Sequence, residues 1–255
     1  MAYERALPPF EPLAEPSPAP DRAPWGYADM AMAIGVIIGC LIVLGTPIVL
    51  IVQALADVNL EDAEGEAAVG VGGGVLVEAL LFAVAALFTV RKYNLSWSAL
   101  GLRRPKRGGL LFPIPVCFGA AIIIFVTAGI MSAAGAEPEG NVPEETFDAT
   151  ALIVLLGVVS LGLAPFVEET FFRGFLFGGL RGRVGMAGAA LVSGLVFALA
   201  HFTGAASLPL LPAIAAIGML FAWAYYYTDS LYASIMAHFT FNLVSFVVGV
   251  TGAGT

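Results

Sequence analysis

The chain carries two histidines, His201 and His238, and both stand inside apolar runs. Glu78, Glu168, Glu169 and Arg173 share that setting, and Asn242 adds a polar amide. Ionisable groups deep in a bilayer are costly, so each of these residues is a functional candidate. Spacing sorts them into faces. Glu169 and Arg173 are four residues apart, close enough to pair across one helical turn. Glu168 points about 100° away from Glu169 on a helix and can meet a different partner. Phe197 shares a face with His201, and His238 shares one with Asn242.

Such a set could cleave a peptide bond. A buried carboxylate beside a neutral imidazole can hold a water and remove its proton. A second His and an Asn on one face can donate hydrogen bonds to the developing oxyanion. The same side chains allow another chemistry. Glu168, His201 and His238 are a possible zinc set, with water as the fourth ligand. The residues alone leave both open.

The elements that must position these groups follow from composition. Of 255 residues, 59% are hydrophobic and only 12% charged, with a mean hydropathy of +0.92. Soluble domains carry about 25% charge. An ordinary cytosolic enzyme, a disordered chain and a basic nucleic-acid binder are therefore excluded. The pattern predicts an all-α, polytopic transmembrane bundle. Seven runs approach the ~20 residues that a crossing needs. They lie near 29–53, 68–90, 110–134, 158–180, 186–207, 208–227 and 230–250. The apolar stretch 147–157 either prolongs the fourth helix or forms an extra interfacial one. Counting inward from the span ends puts Glu168, His201, His238 and Asn242 at depths of roughly 13–23 Å, a common level on three helices.

Charge sorts the loops. Residues 91–107 hold six of the eleven basic side chains and no acid, whereas 57–66 and 137–148 hold five acids each and no base. The positive-inside rule places the basic loop 91–109 and the N-terminus in the cytoplasm and the acidic loops outside. Residues 1–27, with seven of the sixteen prolines, read as a disordered cytoplasmic tail. Segment 28–136 is then an N-terminal set of spans, and 150–250 the core that holds the polar residues. Trp25 and Tyr27, and later Trp223, Tyr225, Tyr226 and Tyr227, are expected in aromatic interface belts. Gly70, Gly72, Gly73 and Gly74 suggest close helix packing. Cys40 and Cys117, both in apolar runs, suggest small packing residues. Glu78 has no motif; packing or the lining of a watery cavity is its expected role.

Three motifs carry a family resemblance. Glu168-Glu169-Thr170-Phe171-Phe172-Arg173-Gly174 fits E-E-x-x-x-R, Phe197 to His201 fits F-x-x-x-H, and His238 to Asn242 fits H-x-x-x-N. Their order and spacing resemble the CPBP intramembrane proteases, also known as the CAAX protease, bacteriocin-processing or Abi family. The resemblance covers about residues 150–245 and implies a multi-span helical bundle with a sunken active site. It implies that Glu168 and His201 activate water, that His238 and Asn242 form the oxyanion site, and that Glu169, Arg173 and Phe197 support them. It implies peptide hydrolysis in membrane-associated substrates, of prenylated CAAX type or with leader peptides, at the cell membrane. A metal-free, glutamate-dependent mechanism is favoured over zinc. Some members of the family serve in immunity or as scaffolds, so a non-catalytic protein that binds a partner through the same cluster is the alternative. A proton-site transporter is disfavoured because no half of the chain is duplicated.

Overall fold

The computed structural model describes residues 22–56, 63–106, 111–135 and 150–252. Among them every regular element is helical. Helix α1 spans Tyr27–Ala56, and α2 spans Ala63–Ala86 and continues as a wider π turn to Arg91. A 3₁₀ turn, Trp97–Leu100, precedes α3, Pro113–Ala133. Then α4 (Thr150–Gly157), α5 (Ala164–Glu168) and α6 (Gly178–Ala200) run on without a gap. The π segments Val158–Leu163 and Glu169–Phe177 join them. A second 3₁₀ stretch, Ala205–Leu210, leads to α7 (Leu211–Thr228) and α8 (Leu231–Gly252). Stretch 150–157 therefore prolongs the fourth span and is no separate interfacial helix.

Six helical runs are long and apolar enough to cross a membrane, and one of them, Thr150–Ala200, has 51 residues. At 1.5 Å per residue that run would be roughly 75 Å long, more than twice a bilayer core. It breaks at Gly185, where φ is 75° and ψ 172°. The chain folds back there, because the Ser193 hydroxyl donates to the Phe172 carbonyl at 2.7 Å and the rings of Phe172 and Phe197 meet edge to face. One crossing lies on each side of Gly185. The seven expected runs are thus six continuous helices, one of them a hairpin. This is a multi-pass membrane protein. Its outer faces are apolar in keeping with lipid contact: Ile42, Phe118 and Phe125 stand exposed, Phe125 by 80%.

The interior is built around the π segment. Phe171, Phe172, Phe175 and Phe177 are buried together with Phe197 and Tyr225. Helices α6 and α7 approach closely at two glycines. A Cβ on Gly194 would lie 2.7 Å from the Ala215 carbonyl oxygen, and one on Gly218 3.1 Å from the Gly194 Cα. The glycines flagged in the sequence do not serve this way: Gly70, Gly72, Gly73 and Gly74 have no neighbour within 4 Å of where a Cβ would stand. Small residues permit close approach, but only a facing helix makes use of it.

At one end of the bundle, segment 22–26 meets residues 181–183, the start of α1 meets stretch 91–106, and that stretch meets residues 228–230. Arg22 donates to the Gly182 carbonyl and Lys92 bonds Asp29 at 2.6 Å. Lys106 and Arg103 both pair with Asp229. The backbone continues the clamp: Lys106 N–H donates to Thr228 at 2.9 Å, and Leu231 N–H to Gly101 at 2.8 Å. The basic stretch thus does more than mark topology; it fixes the turn from which α8 starts. Two aromatic expectations change here. Trp25 is buried, not interfacial, and its indole N–H donates to the Phe175 carbonyl at 2.9 Å. Tyr225 is buried beside Gly101, while Trp223, Tyr226 and Tyr227 are exposed as a belt requires. The acidic stretch 137–148, most of 57–66 and residues 1–21 of the Pro-rich tail lie outside the described residues.

Candidate active site

The first motif enters the bundle where α5 gives way to the π segment, so Glu168 and Glu169 sit on either side of a change in helical winding. π turns are rare and collect at functional sites. Glu169 is the hub. Its Oε1 accepts Arg173 Nη1 at 2.8 Å and His238 Nδ1 at 3.0 Å, and its Oε2 accepts the Ser234 hydroxyl. Arg173 Nη2 donates to the Gly218 carbonyl at 3.1 Å, with its guanidinium 4.4 Å from the Phe197 ring centre. Glu169 and Arg173 are fully buried. A buried ion pair is tolerable only when further hydrogen bonds support it. Helices α7 and α8 supply them to both partners, leaving only Arg173 Nε of the guanidinium and carboxylate atoms without a partner among the described residues. The i,i+4 pairing read from sequence is present.

His238 lies one turn beyond Ser234 on α8, and its ring stacks on Phe221 at 5.0 Å. A carboxylate only accepts, so the nitrogen facing Glu169, Nδ1, is the donor. That leaves Nε2 directed elsewhere, and it stands 3.8 Å from Glu168 Oε2. This Glu168 oxygen is buried and has no hydrogen-bond partner. A water about 2.8 Å from each atom would satisfy both. Glu168 and His238 therefore face each other just beyond direct hydrogen-bonding distance, and the neighbouring Glu169 holds the other edge of the imidazole.

His201 ends α6 as its C-cap. Its Nδ1 donates to the Phe197 carbonyl at 2.9 Å, and its ring lies 4.5 Å from that of Phe197. The Phe197 ring in turn lies 5.9 Å from His238. The two imidazoles thus flank one phenyl ring. Among the described residues His201 makes no hydrogen bond to Glu168 or His238. Both rings are nonetheless pinned through Nδ1 and present Nε2. Asn242 Nδ2 donates to the Ser160 carbonyl at 2.8 Å, which ties α8 to the π segment preceding α5 and leaves the second amide N–H.

Three contributors were not singled out from the sequence. Ser234 was legible by spacing, since Ser234, His238 and Asn242 recur every four residues along one face. Gly218 and Phe221 carry no such signal, because in an apolar run any glycine or phenylalanine looks alike. Glu78, on α2, brings its carboxyl within hydrogen-bonding reach of Glu168.

Among the described residues, no three His, Cys, Asp or Glu side chains converge closely enough to share one ion. His201 is the outlying member of the possible zinc set Glu168, His201 and His238. As placed, the residues do not fit a zinc centre.

Comparison with known proteins agrees with the motifs. Residues 150–244 match the family described as type II CAAX prenyl endopeptidase Rce1-like. Over 114 residues the chain is 32% identical to a Bacillus subtilis (strain 168) protein named "Putative membrane peptidase YdiL". That alignment covers 45% of this chain and 43% of the relative, so the chain spans less than half the length of the curated protein it matches. No solved structure matches the chain. The CPBP resemblance carried by the three motifs is borne out by these findings.

Proposed function

We propose that this chain, with its CPBP-type core at residues 150–244, is an intramembrane endopeptidase that uses water activated by Glu168. The observation that carries the reading is the unbonded, buried Oε2 of Glu168 facing the free Nε2 of a His238 ring fixed through its other nitrogen. A carboxylate in that position can take a proton from a water bound to both groups. His201 Nε2 assists from the far side of Phe197.

The hydroxide attacks the scissile carbonyl carbon. His238 enters with both ring nitrogens protonated, Nδ1–H held by Glu169. It and the second N–H of Asn242 then donate to the oxyanion, His238 keeping its proton throughout. Glu169 is the counter-ion of that imidazolium and holds it in place. Glu168 passes its proton to the leaving amine, and the acid and amine products separate. Every group in this sequence belongs to the chain itself, and no metal is required.

The substrate is a membrane-associated peptide. The description of the matched family favours prenylated CAAX-type substrates, with leader peptides the other class. The N-terminus and the basic loop face the cytoplasm, as the positive-inside rule demands. The test is cleavage of a farnesylated CAAX peptide by purified protein in proteoliposomes. Wild type should cleave it, and Glu168→Ala and His201→Ala should each abolish cleavage while remaining folded in detergent. Full activity in both variants would refute the assignment.

A further inference from the structure

Glu78 belongs to none of the motifs, yet it is 5% exposed and its Oε2 has no hydrogen-bond partner. Helix α2 packs against α5 and the π segment that follows it, and the Glu78 carboxyl meets that of Glu168. No Lys, Arg or His among the described residues pairs with Glu78. Beside Glu78 runs a cleft of about 200 Å³. Phe82, Leu163, Phe166 and Val167 line it, and Glu78 is the one polar residue in its wall.

Two carboxyls do not face each other in dry surroundings with both charged; they share a proton, and its carrier becomes a hydrogen-bond donor. We propose that Glu78 is a positioning residue for Glu168: it donates the hydrogen bond that holds the Glu168 carboxyl with Oε2 turned toward His238. Arg173 and Ser234 serve Glu169, so without Glu78 the Glu168 side chain keeps its rotational freedom. A general base displaced by about 1 Å loses on the order of 10²-fold in rate. This inference deepens the peptidase reading and rests on it for its kinetics.

Two variants separate positioning from packing. Glu78→Gln keeps a donor of the same length; Glu78→Leu keeps the volume and removes the donor. With the farnesylated CAAX peptide in proteoliposomes, Glu78→Leu should lower kcat about 10²-fold and leave KM and the unfolding midpoint unchanged. Glu78→Gln should stay close to wild type. Wild-type kcat in Glu78→Leu, or a Gln variant as slow as the Leu variant, overturns the proposal.

A wild type that cleaves nothing sinks the peptidase reading, and a second measurement then decides the pairing. Glu78→Cys and Glu168→Cys are combined in a background with Cys40→Ala and Cys117→Ala. A short bifunctional thiol reagent should join the two helices, seen by mass spectrometry. Absence of that link in folded protein overturns the proposal whatever the activity.

Discussion

His238 Nδ1 lies 3.0 Å from Glu169 Oε1, while its Nε2 stands 3.8 Å from Glu168 Oε2. Adjacent glutamates thus address opposite edges of one ring. Glu169 is saturated with partners and Glu168 is not. The fully bonded acid is suited to hold a ring, and the under-bonded one to do chemistry.

Glu169 should govern stability and Glu168 activity. Glu169→Ala leaves Arg173 buried without its counter-ion, which costs about 3–5 kcal/mol. Glu168→Gln keeps the size of a side chain whose Oε2 has no hydrogen-bond partner, so stability should change far less than in Glu169→Ala while cleavage is lost. Unfolding in detergent with rising denaturant, paired with the cleavage assay, checks both. Equal destabilisation by the two changes would contradict the division of labour.

Ser234→Ala removes a buried hydroxyl that donates its one proton to Glu169 and lies 3.1 Å from the Phe221 carbonyl. A hydrogen bond to a charged group contributes about 1.5–3 kcal/mol, and that loss should appear in the unfolding midpoint. In combination with Glu169→Ala the two effects should not add, because both act on the same carboxylate. Strict additivity in a double-mutant cycle would break the link.

Glycines should divide by what faces them. Gly194→Ala drives a methyl against the Ala215 carbonyl, part of a backbone that cannot swing aside. Helices α6 and α7 must then part, at about 1–3 kcal/mol as for other overpacked cores, and Gly218 must shift from Arg173. Gly72→Ala, with open space around it, should be neutral or slightly stabilising through helix propensity. Thermal unfolding of the two variants provides the contrast.

Asp229 should report on the clamp at the basic end. Partial burial works to raise its carboxyl, but hydrogen bonds from Lys106 and Arg103, with their charges, outweigh this and hold it below its ordinary value. A carboxyl held low in the folded state stabilises the fold above its unfolded value of about 3.9 and loses that contribution as pH falls through the folded value. Asn tolerates the left-handed backbone found there, with φ at 54°. The gap in Tm between wild type and Asp229→Asn should therefore be full near neutral pH and close below about pH 3.9. A gap independent of pH would show that the charge contributes nothing.

Cleavage should be insensitive to chelators, and elemental analysis of purified protein should find no stoichiometric zinc. Stoichiometric zinc together with chelator-sensitive cleavage would overturn the metal-free reading.

What the chain's order of residues determined by itself was the class of molecule and the list of polar candidates. Bilayer burial makes charge so costly that a carboxylate or imidazole in an apolar run announces itself, and i,i+4 spacing gave the Glu169–Arg173 pair directly. The apolar runs also foretold the helices, because a lipid-facing surface must be apolar whatever it packs against. Tertiary structure alone decided which polar group meets which. The assignment of His238 to Glu169, the carbonyl of Gly218 under Arg173 and the approach of Glu78 to Glu168 depend on the rotation of each helix about its axis. In a uniformly apolar sequence no amphipathic stripe records that rotation. It is set by close contacts, such as Gly194 against Ala215, that exist only once the helices have come together.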